Sequence, residues 1–308
     1  MADLYYNKVA LLLPMSGPDE GSTFTDWSQS PKTVTRYGNA HTETDQYKFY
    51  DSSGYFDGAG DYLSLSDSND FYFDGDFCIE AWFRLNALPE EGNGANSIKM
   101  IYAQRASDTV RIFFGISYWQ GSQTSPGFWL KIDNSSDVIS LFGSPVSAMQ
   151  VNTWYHCAAT ISSGTARIFL DGNLLNSASI SGTVPNVSAS LIIGTGWNDF
   201  FNFHGYMQDL RITKGFARYT DTFTPPSRFI GNISGAIYDK NGDPAARKIV
   251  AWPRVIHPPT TAITYTTTSS AVDGSYTLGP MPDAEYTRIV LADETTLVND
   301  IVDRVFPG

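Results

Sequence analysis

The chain has 308 residues, enough for two domains or for one large sandwich with an appendage. Its formal net charge of −12 disfavours a binder of phosphate backbones, which needs Lys and Arg to displace counterions, so nucleic acid is not an expected partner. With 14% aromatic and 17% charged residues, 26 Gly and 16 Pro, the composition is that of many short strands between turns.

The apolar run Val9 to Leu13 is far shorter than a signal core or a membrane span and reads as a first strand. The expectation is a protein made in a cytoplasm without a signal peptide and without membrane insertion. Gly54 to Leu65 alternates apolar residues around a Gly/Asp turn, and Phe77 to Leu85 alternates with period two; both read as strands with one buried face. Lys99 to Gln104, Val110 to Ile116, Phe128 to Ile132 and Trp154 to Ile161 follow as short strands punctuated by Gly, Ser, Asn or Asp, without a helical stripe. Thr165 to Ser177 reads as a hairpin, because Asp171-Gly172-Asn173 tolerates the left-handed conformations of a tight turn. Leu191 to Gly194 and Gly205 to Ile212 complete the set, and Lys214 to Tyr219 predicts a single helical turn. More than about a dozen short strands without a repeat favour a sandwich or jelly roll over a propeller.

Thr222 to Phe229 holds Pro225 and Pro226, which remove backbone donors and end the sheet, so the domain boundary is placed there: 1–228 and 229–308. Beyond it the pattern restarts with strands flanking a turn at Asn241 to Pro244, and with Ala262 to Thr268, Gly274 to Leu278 and Tyr286 to Ala292. A segment this short has a thin core and gains from a neighbour. The predicted class is all-β: a large jelly-roll sandwich followed by a small β-sandwich.

Cys78 and Cys157 are too few for a disulfide framework and lack metal-ligand spacing. Alternation puts Cys78 with Glu80 and Trp82, and Cys157 with Tyr155, Ala159 and Ile161. If those faces are opposite, the thiols cannot bridge.

The motifs Tyr55 to Leu63, Phe77 to Phe83, Thr153 to Ala159, Ile168 to Gly172 and Gly205 to Thr213, in that order over about residues 4 to 228, resemble the laminin-G-like, concanavalin A-like lectin/glucanase superfamily. The resemblance implies two antiparallel sheets packed face to face. Ile233 to Lys248 followed by Asp273 to Leu278 resembles a carboxypeptidase-regulatory, transthyretin-like β-sandwich, in which Asp273-Gly274 turns the chain and Tyr276 and Leu278 point inward. The two together are similar to structural proteins of tailed bacteriophages. That likeness implies a non-enzymatic virion-surface protein, a capsid decoration, head fibre or tail component, docked to other virion proteins through its C-terminal domain. A dedicated carbohydrate-binding receptor protein and a glycoside hydrolase are the alternatives.

A hydrolase on this fold needs two carboxylates across the scissile bond. No Glu-x-Asp-x-x-Glu run occurs, and the nearest pair, Asp76 and Glu80 on one strand, also reads as turn and surface. His41, His156, His204 and His257 are scattered without zinc-like spacing, His156 reads as a packed or hydrogen-bonded ring, and no Gly-x-Ser-x-Gly elbow is present. No catalytic residue is therefore assigned. The likeness to pentraxin-like relatives implies a possible Ca²⁺ site at Asp108 with Asn198 and Asp199. Thr109 departs from the amide residue expected there, and Asp57 with Asp61 is a second set. Ca²⁺ takes about six to eight oxygens, these sets supply few, and ordinary turn roles compete. For glycans, the aromatic loops with Tyr118, Trp119 and Trp197 could stack on sugar rings, or pack beneath their own loops. Exposed strand edges imply a homo-oligomer or a lattice contact.

Overall fold

In a computed structural model, the structure describes residues 5–91, 94, 96–118, 126–144, 147–196 and 200–226. Beyond these it describes 230–236, 248–253, 265–268, 270, 272, 275–282, 286–291 and 298–305. The chain divides into two compact units. One is Lys8–Asp26 with Ser30–Pro225; the other is Pro226–Gly308 with Met1–Asn7 and Trp27–Gln29. Among the described residues, no helix is long and apolar enough to cross a membrane.

The larger unit is a jelly-roll sandwich. Its strands are β1 (Val9–Leu13), β2 (Thr35–Tyr37), β3 (His41–Glu43), β4 (Ser53–Asp57) and β5 (Tyr62–Leu65). They continue with β6 (Phe77–Leu85), β7 (Ile98–Ser107), β8 (Val110–Ser117), β9 (Gly127–Asn134) and β10 (Asp137–Gly143). The last five are β11 (Trp154–Ser162), β12 (Thr165–Leu170), β13 (Asn173–Ser179), β14 (Leu191–Ile193) and β15 (His204–Lys214). The first sheet runs β13-β12-β11-β6-β15-β4-β3, with β1 also on β15; the second runs β10-β9-β8-β7-β14-β5-β2. All these pairings are antiparallel.

Period-two alternation fills the space between the sheets. Phe77, Ile79, Ala81, Phe83 and Leu85 of β6 meet Ile112, Phe114 and Ile116 of β8 and Phe128, Leu130 and Ile132 of β9 in one cluster. The predicted strands are present. The Gly/Asp turn at Gly58 to Gly60 is no hairpin: β4 lies in the first sheet and β5 in the second, so the turn carries the chain across the sandwich. Three strands carried no clear sequence signal: β2 and β3, of three residues each, and β10.

The helical turn expected over Lys214 to Tyr219 does not form. Gly215 turns the chain at φ +74°, and the segment lies non-helically on the first sheet, tied by Thr160 Oγ1 to the Tyr219 carbonyl at 3.0 Å. Tertiary contacts override local preference there. Cys78 and Cys157 are buried on opposite faces of the first sheet, Cys157 in the main core and Cys78 in an outer cluster with Ala158 and Phe169, and both are free thiols.

The smaller unit carries β16 (Ile230–Ala236), β17 (Lys248–Pro253), β18 (Tyr265–Thr268), β19 (Ser275–Pro282), β20 (Tyr286–Leu291) and β21 (Val298–Val305). They form a two-stranded sheet, β16-β19, and a four-stranded one, β18-β17-β20-β21. Tyr276 is buried and sits opposite Gly235. The turn residues Asn241 to Pro244 and Asp273-Gly274 lie outside the described residues.

The β11-β12 and β12-β13 hairpins turn on Ser163-Gly164 and Asp171-Gly172, all four residues at positive φ, the geometry that matches strand twist. Gly164 and Gly172 share almost the same φ, +75° and +77°, yet a Cβ at 164 meets open space while one at 172 would overlap the Phe223 carbonyl. Gly164→Ala should therefore cost about 1–2 kcal/mol from backbone conformation alone, and Gly172→Ala clearly more, as read by urea denaturation.

Candidate functional site

The outer face of the first sheet carries a run of polar and aromatic residues. Because odd positions of β6 face the core, Cys78, Glu80, Trp82 and Arg84 face outward. Strand β15 changes parity through a bulge at Asp209 (φ +50°), which brings Met207, Leu210 and Ile212 into the core and leaves Tyr206, Gln208 and Arg211 outside.

Two segments cover part of this face. One is Gly215 to Pro225. Beneath it Glu80, with no exposed surface, accepts from Arg211 Nε (2.9 Å), Tyr219 Oη (2.8 Å) and His156 Nε2 (3.2 Å), with Arg218 Nε at 3.6 Å. Burial alone would raise this carboxyl. The Arg211 guanidinium, the His156 bond and Arg218 outweigh it and hold Glu80 well below the ordinary carboxylate range. The other segment is Gln46 to Ser53. Gln208 Oε1 accepts from Lys48 N (2.9 Å) and Phe49 N (2.8 Å), Gln208 Nε2 donates to the carbonyls of Phe49 and Ser52, and Lys48 Nζ lies 4.5 Å from the Trp82 ring.

Between these covers and the end of the sheet runs a row of side chains contributed by five strands. His41 of β3 sits opposite Tyr55 of β4, Tyr55 opposite Tyr206 of β15, Tyr206 opposite Arg84 of β6, and Arg84 opposite Trp154 of β11. At the usual strand spacing the row is roughly 19 Å long. The Tyr55 and Tyr206 ring centroids are 5.0 Å apart, and the Arg84 guanidinium lies 5.3 Å from the Tyr206 ring. Arg84 Nη1 donates to Asn86 Oδ1 at 3.0 Å. Tyr55, Arg84 and Trp154 are half-buried, so their packing holds them while part of each meets solvent. Burial raises both phenols above their ordinary value. Aromatic faces flanked by amide, guanidinium and phenol groups are the equipment for holding a sugar by its C–H face and its hydroxyls.

Other candidate positions lie away from this row. Asp76 accepts from Ser162 Oγ (3.0 Å) and Ser163 N (2.9 Å), and Glu80 is sealed, so the one carboxylate pair legible on a strand does not face a shared opening. Asp108 lies in the β7-β8 turn with its carboxylate on Arg105 Nη2 at 2.5 Å, and Asn198 and Asp199 lie outside the described residues. Asp61 is fully buried, its oxygens taken by Asn39 N (2.6 Å) and Asp57 N (2.9 Å), and Asp57 Oδ1 accepts from Ala59 N at 2.7 Å. Backbone N–H groups thus engage both oxygens of Asp61 and one oxygen of Asp57. Tyr118 is half-buried at the end of β8; Trp119 and Trp197 lie outside the described residues. Phe201 packs on Ile98, Met100 and Phe113 over the second sheet. An open cleft of about 210 Å³ at one end of the sandwich includes Tyr72, Asp74 and Thr183, with Lys214 Nζ 5.6 Å from the Tyr72 ring and 3.9 Å from Asp74.

Residues 57–216 match the family model described as the concanavalin A-like lectin/glucanases superfamily. The chain belongs to that superfamily. As a member of it, the chain shares its fold with solved structures at low identity. The botulinum neurotoxin serotype D binding domain matches with a TM-score of 0.51 and 13% identity, over 96% of this chain and 75% of that one. Domain 4 of AbnA, a GH43 extracellular arabinanase from Geobacillus stearothermophilus solved with arabinotriose, matches with a TM-score of 0.48 and 17% identity, over 68% and 93%. No curated protein matches the sequence.

Sequence reasoning missed the row: Tyr55 and Trp154 stood in recognised strands, but nothing local to either strand indicated that they align. The Glu80 network gives a pH test. A carboxyl held below its unfolded value near 4.5 stabilises the fold above that pH, and the contribution is lost as pH falls through the folded value. Glu80→Gln removes the buried charge on which Arg211, His156 and Tyr219 converge and should cost about 3 kcal/mol or more near neutrality. The urea midpoint of the variant should vary less than that of the parent protein between neutral pH and pH ~3.

Proposed function

We propose that this protein is a non-enzymatic, surface-presenting protein of a bacteriophage particle whose jelly roll captures glycan through the row Tyr55, Tyr206, Arg84 and Trp154. The observation that carries the glycan reading is that row: half-buried Tyr55, Arg84 and Trp154 aligned across the sheet by strand register around the buried Tyr206, with Asn86 as a polar partner. The non-enzymatic reading is supported by the fate of the carboxylates, since Glu80 is sealed beneath Tyr219 and Asp76 caps a turn. The virion setting is supported by the likeness of the two-part sequence to tailed-phage structural proteins, as capsid decoration, head fibre or tail component. In this reading the C-terminal unit, with its carboxypeptidase-regulatory-like pattern, docks to other virion proteins and the jelly roll faces outward. Strands β3, β13, β2 and β10 end their sheets and offer edges through which copies could pair in a homo-oligomer or lattice.

A glycan array with the full chain tests the capture, followed by titration of the best-bound sugar. An aromatic contact is worth about 0.5–1.5 kcal/mol, so Tyr55→Ala and Trp154→Ala should each weaken binding by up to about tenfold, with the circular dichroism spectrum kept. Affinity unchanged in both variants would remove the row from the site. Antibody labelling of purified particles tests the virion setting. Incubation with β-glucans should release no reducing sugar; release would make the chain a hydrolase.

A further inference from the structure

Among the described residues, one grouping of His, Cys, Asp or Glu side chains brings three ligand atoms within 4.8 Å of one another: Glu20, His41 and Glu43. We propose that these three form a binding site for a first-row divalent transition metal, with Zn²⁺ as its representative.

The His41 ring carries the argument. Its residue is 8% exposed, and Nδ1 lies 2.8 Å from the Asn39 carbonyl, so Nδ1 bears the hydrogen in the neutral ring. That bond leaves the Nε2 lone pair as the only free valence. Nε2 is buried and makes no hydrogen bond, although it lies 3.5 Å from Glu43 Oε2 and 3.7 Å from Glu20 Oε1. A buried lone pair aimed at two carboxylates is unfavourable unless a cation lies between them. The separations are long for hydrogen bonds and lie within about 0.1 Å of what a shared ion sets. With metal–ligand bonds of about 2.0–2.2 Å, the edge of a tetrahedron is about 3.3–3.6 Å. A ring nitrogen selects transition metals over Ca²⁺ or Mg²⁺, and a ligating histidine that donates its other N–H to a backbone carbonyl is held in the orientation and tautomer a metal requires.

The ligands are braced before any ion arrives. Thr42 N donates to the Gly21 carbonyl (2.8 Å) and Thr42 Oγ1 to the Pro18 carbonyl (2.6 Å), which pins the Glu20 loop beside β3. Asp19 accepts from Thr44 N and Oγ1 at 3.1 and 2.9 Å. Glu43 Oε1 accepts from Thr44 N (3.1 Å), which leaves Oε2 for the ion, and the Tyr55 ring lies 5.2 Å from the His41 ring. Glu20 is exposed, so the remaining coordination positions open to water. Three protein ligands and an open position are the pattern of an accessible zinc site. The competing occupant is a proton, which would make His41 a cation between two carboxylates. This inference stands apart from the glycan reading.

The test uses the full chain, stripped of metal with a chelator and titrated with Zn²⁺ by calorimetry near neutral pH, while the imidazole ¹⁵N signals of His41 are followed by NMR. The expected result is a single equivalent bound, with the Nε2 signal moving on addition. Glu20→Gln, a change at an exposed side chain, should weaken binding at least about tenfold, and His41→Gln should abolish it, the former with an unchanged circular dichroism spectrum. Absence of zinc uptake, or uptake equal in both variants, or a His41 ring doubly protonated and indifferent to zinc, would overturn the proposal.

Discussion

Strand β6 buries both of its faces. Phe77, Ile79, Ala81, Phe83 and Leu85 look into the space between the sheets, while Cys78, Glu80 and Trp82 look away from it and are covered too. A carboxylate in that second layer is costly to bury without partners, and here Arg211, His156 and Tyr219 converge on Glu80 from β15, from β11 and from the segment after β15. One buried charge thus ties together the two strands that flank β6 and the segment lying over them. Its value lies in specifying that arrangement more than in net stability, because a well-packed apolar replacement of the whole network could be as stable.

The same strand sets what stays open. Tyr219 and Phe223 stack at 3.5 Å between centroids and cover Phe169 and His156, while Phe49 covers Trp82 at an edge-on 87°. With those two segments in place, the aromatic row from Tyr55 to Trp154 remains as the partly open band. A row built on paired strands is a stiffer platform than a loop, since Tyr55, Tyr206 and Arg84 each have a strand partner on both sides and Trp154 has one. His41, at the β3 end of the row, is anchored through its Nδ1, and this makes the edge strand the natural place for a second kind of ligand.

One fold hosts many chemistries, and the likeness to the botulinum neurotoxin serotype D binding domain is one of architecture. What discriminates between binding and hydrolysis is local. Acid and base must face a common space, and the proposed non-enzymatic reading leans on the two carboxylates of β6 and its approach, which meet an ion network and a hairpin turn.

The period-two alternation of Phe77 to Leu85, the left-handed turn at Asp171-Gly172 and the prolines at 225 and 226 are properties of neighbouring residues, so strand identity, the hairpin and the all-β class could be read from the sequence alone. The opposite faces of Cys78 and Cys157 depended on register, and the alternation could state them only conditionally. Where Lys214 to Tyr219 had the local pattern of a helical turn, contacts with residues far away in the chain decided otherwise. The aromatic row belongs wholly to that second kind of information. His41, Tyr55, Arg84, Trp154 and Tyr206 are scattered over most of the larger unit, and they share one row only because hydrogen-bond register aligns five strands. Glu20 joins His41 and Glu43 only because Thr42 pins its loop. Alternation tells which side of a strand a residue takes; only strand pairing tells what stands next to it.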